Sequence, residues 1–165
     1  SLIRYPKASC PIESAAFSGS IEEGRGVLIK AEDIAPSLIP DESQAVPFEK
    51  QVLLVCTGGM YGEVLSAARN LILKGVKADI YTLRFIKPFD SEYFATIAEH
   101  YDAVVFAEDG VRIGGVSEYA ATLIDKPKKI LAFGDEYMPS ATREELLELA
   151  HISTKDITEA ALSLL

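Results

Sequence analysis

The chain has 165 residues, 48% of them apolar, which suits one domain with its own core. Its 25 Asp and Glu outnumber 16 Lys and Arg for a net charge of −9; a surface of that sign repels phosphate backbones and anionic lipid, which excludes nucleic acid and membrane as partners. Two cysteines, Cys10 and Cys56, are too few for a disulfide framework, and no apolar run approaches the ~18 residues of a membrane span, so the expectation is a cytoplasmic domain with two free thiols.

The opening SLIRYPKASCP lacks a signal peptide's apolar core and starts mid-element without Met, which suggests an excised fragment. Leu2 to Tyr5 is a short apolar stub that Pro6 stops. Lys7 to Glu23 has no clean period and mixes Pro11 with Ser9, Ser14, Ser18, Gly19 and Ser20, as a linker does. Residues 1–23 therefore read as the tail of a preceding domain plus linker, and 24–165 as the domain proper. Gly26 to Ala31 alternates as a strand, and Glu32 to Lys50, with Pro36, Pro40 and Pro47, reads as a loop or irregular insertion.

The stretch from Gln51 to Asp90 organises the rest. Val52 to Cys56 is a continuous apolar run, the mark of a strand buried on both faces. Thr57, Gly58 and Gly59 turn the chain, and from Tyr61 to Lys74 the residues Val64, Leu65, Ala68, Leu71 and Ile72 share one helical face. Gly75 is placed for a left-handed cap, and Ala78 to Leu83 is a second strand, so the unit is a right-handed βαβ crossover. Asp90 is the N-cap of a helix whose apolar face is Phe94, Ile97, Ala98 and Tyr101. Ala103 to Ala107 is a buried strand, Glu108 to Gly115 a turn, Val116 to Ile124 a helix and Lys129 to Phe133 the last strand. Thr142 and Glu145 fit a capping box for a helix reaching Ala150, and Ser153 with Asp156 starts a final helix carrying Ile157, Ala161 and Leu164. Strands alternating with helices argue for an α/β sandwich on a mostly parallel sheet.

Candidate chemistry is sparse. The turn Thr57-Gly58-Gly59-Met60-Tyr61-Gly62 aligns Gly59 and Gly62 with a dinucleotide fingerprint. Thr57 stands where the first glycine belongs, and the following strand ends in Leu83-Arg84 rather than in the ribose-binding acid. The glycines therefore read as needs of a tight turn, with Gly59 a candidate for positive φ. Glu108, Asp109, Arg112, Gly114 and Gly115 gather at a strand end, where α/β sheets place ligands, but no third metal ligand or nucleophile joins them. They read as a solvated loop or subunit contact. His100 and His151 have no ligand-spaced neighbour and read as surface or cap residues.

Four segments in register carry a resemblance. Ile3-Arg4-Tyr5-Pro6-Lys7 resembles Ile-Arg-Tyr-Pro-Arg/Lys, and Arg84-Phe85-Ile86-Lys87-Pro88-Phe89-Asp90 resembles Arg-Phe-x-Lys-Pro-Leu-Asp. Ala107-Glu108-Asp109 with Gly114-Gly115 resembles a Glu-Glu…Gly-Gly helix start. Phe133-Gly134-Asp135 through Ala141-Thr142-Arg143-Glu144-Glu145-Leu146 resembles Gly-x-Pro-Asp…Gly-Ser-Arg-Asp-Glu-Leu. All four belong to the 1-deoxy-D-xylulose-5-phosphate synthase family, and the match spans nearly the whole chain as the third domain of transketolase-like enzymes. Two departures are the long insertion at Glu32–Lys50 and Val116-Ser117 in place of Phe-Gly.

The resemblance implies a three-layer α/β/α sandwich on a five-stranded, mostly parallel sheet, its one antiparallel strand at Gly26–Ala31. It implies a homodimeric parent that condenses pyruvate with glyceraldehyde 3-phosphate, releases CO₂ and serves isoprenoid and thiamine biosynthesis. The family holds thiamine diphosphate and Mg²⁺ through Gly-Asp-Gly…Asn in its preceding domains. Here Gly134-Asp135 continues as Glu136, and the chain's sole Asn is Asn70, far upstream. The chain is thus expected to supply no catalytic, cofactor-binding or metal-binding residue, and to pack on the preceding domains. Arg4 is the one carry-over, as the contact to the substrate's phosphate, which a guanidinium fork suits. The alternatives are the C-terminal domain of a transketolase or of a 2-oxo-acid dehydrogenase E1 beta-type subunit, or a free-standing nucleotide or regulatory-ligand module.

Overall fold

The structure, a computed structural model, describes residues 15–39 and 48–165. Arg4 and Cys10 lie outside the described residues, as does the middle of the proline-rich insertion.

Five strands form one sheet: β1 (Val27–Ile29), β2 (Gln51–Cys56), β3 (Lys77–Thr82), β4 (Ala103–Val111) and β5 (Lys128–Phe133), in the order β1-β3-β2-β4-β5. β1 runs antiparallel to β3, and the other three pairings are parallel. The antiparallel strand is thus the predicted one, shortened because Ala31 already opens a helix.

The apolar run of β2 divides by pleat. Val52, Leu54 and Cys56 face one core with α1 (Ala31–Ile34), α2 (Tyr61–Leu73), α5 (Arg143–Leu149) and α6 (Thr154–Leu162). Leu53 and Val55 face the other, under α3 (Ser91–Ala98) and α4 (Val116–Thr122). A central parallel strand is buried on both sides, so its run shows no alternation. Three layers result.

Helix ends follow their local chemistry. Gly75 has φ +79°, and Val76 N–H bonds to Leu71 O at 3.0 Å while Gly75 N–H bonds to Ile72 O at 3.0 Å, which closes α2 in a Schellman motif. α5 ends the same way, but with His151 at φ 55° in glycine's place. Asp90 accepts from Tyr93 N–H at 3.0 Å, and the boxes of Thr142 with Glu145 and Ser153 with Asp156 are both formed.

Three expectations need correction. The segment after Ala31 begins as one helical turn, α1, before it becomes irregular. β4 does not turn at Glu108; it continues to Val111, because after a bulge Val111 pairs with Phe133 of β5. Gly59 does not have positive φ, a conformation that Gly24, Gly75 and Gly114 adopt among the described glycines. It lies in a 3₁₀ turn, and its reason for being glycine is a close approach described below.

Lys30 and Ala31 reach a residue that sequence reasoning passed over. Asp79 on β3 is 1% exposed and accepts from Tyr101 Oη at 2.6 Å, Ala31 N–H at 2.8 Å and Lys30 Nζ at 3.1 Å. A buried carboxylate with three donors is satisfied, and it ties α1 and the α3–β4 connection to the sheet. Burial, then the bond to Asp79, pushes the Tyr101 phenol above its ordinary range.

Candidate functional site at the carboxyl ends of the parallel strands

From β2 the chain crosses to β3 on one side, then returns to β4 on the other. The carboxyl ends of β2 and β4 therefore flank the switch point, where open α/β sheets form their ligand crevice. The Thr57–Gly59 turn follows β2, and Glu108 and Asp109 lie near the end of β4.

Here the chain places an exposed carboxylate of its own at the start of α2. Asp109 Oδ1 accepts from Thr57 Oγ1 at 3.0 Å, and its carboxyl lies directly over Gly59. A Cβ on Gly59 would stand 1.8 Å from Asp109 Oδ2. The glycine makes room for a carboxylate, not for a pyrophosphate. An anion already seated at the start of α2 opposes a second one through like charge.

Glu108, the preceding residue, points the opposite way. It is 8% exposed and accepts from Ser117 N–H at 3.0 Å and Val116 N–H at 3.3 Å, so it caps α4 from outside the helix. Gly115 permits this: a Cβ there would meet Glu108 Oε2 and Val111 O, each at 2.8 Å. Gly114, at φ +75°, bends the chain into the helix, and Arg112 is exposed. The five residues grouped by sequence are thus close in space, but the two acids serve different helices on different faces.

Arg143 completes the region and had no role in the sequence reading. From the first turn of α5 it reaches Glu63 Oε1 at 2.5 Å and Gly59 O at 2.6 Å, pinning α5 to the start of α2. Its signal was its place in the late Ala141–Leu146 stretch. Cys56, buried where β2 ends, has its thiol pushed up to about 12 by desolvation, which leaves it an inert packing group. His100 is exposed, and His151 is the cap of α5.

These side chains do not fit a thiamine diphosphate–Mg²⁺ site. Among the described residues no group of three His, Cys, Asp or Glu could hold a metal ion. Asp135 and Glu136 are exposed, and the switch-point crevice already holds a carboxylate. No helix of the described residues is long and apolar enough to cross a membrane.

Comparison with known proteins agrees with this fold. The family model described as transketolase, C-terminal domain, matches residues 42–157. A 1-deoxy-D-xylulose-5-phosphate synthase of Treponema pallidum (strain Nichols) is 42% identical over 164 residues, 96% of this chain and 24% of that protein. The Leifsonia xyli subsp. xyli enzyme of the same name is 28% identical over 161 residues, 94% of this chain and 22% of that protein. A solved structure titled split gene transketolase, inactive beta4 tetramer, superposes with a TM-score of 0.72 at 26% identity, covering 93% of this chain and 47% of that one. The chain spans about a quarter of the length of the curated relatives it matches. Its sheet order, its antiparallel edge strand and these matches lead to one conclusion: the chain belongs to the transketolase C-terminal domain family and is a domain of the kind found in 1-deoxy-D-xylulose-5-phosphate synthases.

Proposed function

We propose that this domain, with boundaries at 24 and 165 behind a linker tail of residues 1–23, is a packing domain of a 1-deoxy-D-xylulose-5-phosphate synthase-like transferase. The parent joins pyruvate to glyceraldehyde 3-phosphate with loss of CO₂, as a cytoplasmic homodimer whose preceding domains hold thiamine diphosphate and Mg²⁺. The observation that carries a structural rather than a ligand-binding role is the Asp109 carboxyl lodged over Gly59 in the switch-point crevice. Isothermal titration of the chain with thiamine diphosphate and Mg²⁺ is expected to show no binding; a micromolar dissociation constant would overturn the reading.

Arg4 is the residue through which the chain meets substrate, as a guanidinium fork on the acceptor's phosphate. In the full-length protein, Arg4→Ala should lower kcat/KM for glyceraldehyde 3-phosphate by about 30- to several-thousand-fold, the equivalent of ~2–5 kcal/mol. Pyruvate carries no phosphate, so its use should be nearly untouched, and Arg4→Lys should rescue only in part. Unchanged kinetics in the acceptor would remove Arg4 from this role.

A further inference from the structure

The linker segment contains a contact that its sequence did not announce. Ala15–Ser18 forms a single 3₁₀ turn, too short to persist on its own. Its Phe17 is half-buried and packs on the larger core, with its ring edge-on to Tyr61 at 5.3 Å between centroids and 83° between planes. Arg84, at the exit of β3, donates from Nη2 to Phe17 O at 2.7 Å, and its guanidinium carbon stands 6.0 Å from the Phe17 ring centroid. Among the described residues no carboxylate forms a salt bridge with Arg84. Its positive head is directed at a carbonyl of the linker. A second pin follows downstream, where Asp90 N–H bonds to Gly24 O at 3.0 Å and Arg25 Nε bonds to Asp90 Oδ2 at 2.9 Å.

We infer that Phe17 and Arg84 form a latch that clamps the linker turn Ala15–Ser18 onto the carboxyl edge of the sheet. Tyr61 opens α2 and Arg84 leaves β3, so the latch grips two neighbouring strand ends at once. The occupant is the chain's own linker, to which Phe17 contributes its aromatic ring and its main-chain carbonyl.

The test is hydrogen–deuterium exchange on the natural full-length protein, comparing wild type with Phe17→Ala, Arg84→Ala and Arg84→Lys. Amides of residues 15–20 should exchange about ten- to a hundredfold faster in both alanine variants, with β2 and β4 unchanged. Arg84→Lys should fall between, because an ammonium still donates one bond to the carbonyl but loses the plane over the ring. Unchanged exchange at 15–20, or acceleration spread equally into β2 and β4, would overturn the latch.

Discussion

Glu108 and Asp109 are neighbours in the chain and opposites in the fold. Glu108 is turned toward α4, nearly excluded from water, and receives two main-chain N–H groups. Asp109 is exposed, turned toward α2, bonded to one hydroxyl and lying over a glycine. The pleat of β4 separates them, since successive side chains leave a strand on opposite faces. Identical charge and adjacent position therefore lead to different energetics. One acid is built into the fold; the other stands exposed at the strand ends, where open α/β sheets place ligands.

The comparison breaks most readily at Glu108. Glu108→Ala leaves the buried Ser117 N–H without its acceptor and should destabilise the domain by about 3 kcal/mol in urea denaturation. Glu108→Gln keeps an acceptor oxygen and should lose about half as much. Gly115→Ala tests the same corner from the other side: its Cβ meets a main-chain oxygen, Val111 O, which cannot swing away, so a loss of about 2 kcal/mol is expected. Equal, small effects for both would mean that α4 is not held from β4.

At Asp109 the effects should be smaller and coupled. Gly59→Ala must displace the Asp109 carboxyl and its bond to Thr57, at about 1 kcal/mol, whereas Asp109→Ala alone should stay within about 0.5 kcal/mol. In the double variant the Gly59→Ala cost should largely vanish, because the colliding group is gone. Additive losses in that thermal-melting cycle would show that Gly59 is needed for its backbone and not for the approach of Asp109.

A third acid sharpens the contrast at the lowest amplitude. Glu145 is exposed at the start of α5, and the backbone N–H and then the hydroxyl of Thr142 hold its carboxyl below the ordinary value of 4.5. A carboxylate depressed in the folded state adds stability that is complete above its unfolded range and lost as pH falls through the folded value. Wild type should therefore lose part of its advantage over Glu145→Gln between about pH 5 and pH 3, read as converging melting midpoints. A gap that stays constant over that window would remove the ionised cap from the account.

Much of this molecule was legible in its residues. The βαβ unit, the Gly75 cap, the Asp90 N-cap, the Thr142–Glu145 capping box and the helix start at Ser153 are local matters: a few side chains within a turn decide them, and the structure has them where the residues said. The carboxyl-end cluster was legible only as a place, because strand ends and glycines mark where chains turn but not which way side chains leave. Four things required the tertiary fold. Asp79 became a buried hub because Lys30, Ala31 and Tyr101, distant in sequence, close around it. β4 extends past its apolar run because β5 offers hydrogen bonds to a segment that would otherwise turn. Arg143 meets Gly59 and Glu63 across 84 and 80 residues of chain. Gly59 owes its identity to a carboxyl from another strand, not to its own dihedral angles. Local propensity and periodicity act over a few residues and can be read in one dimension; long-range contacts depend on which strands lie side by side, and that order is settled only when the sheet assembles.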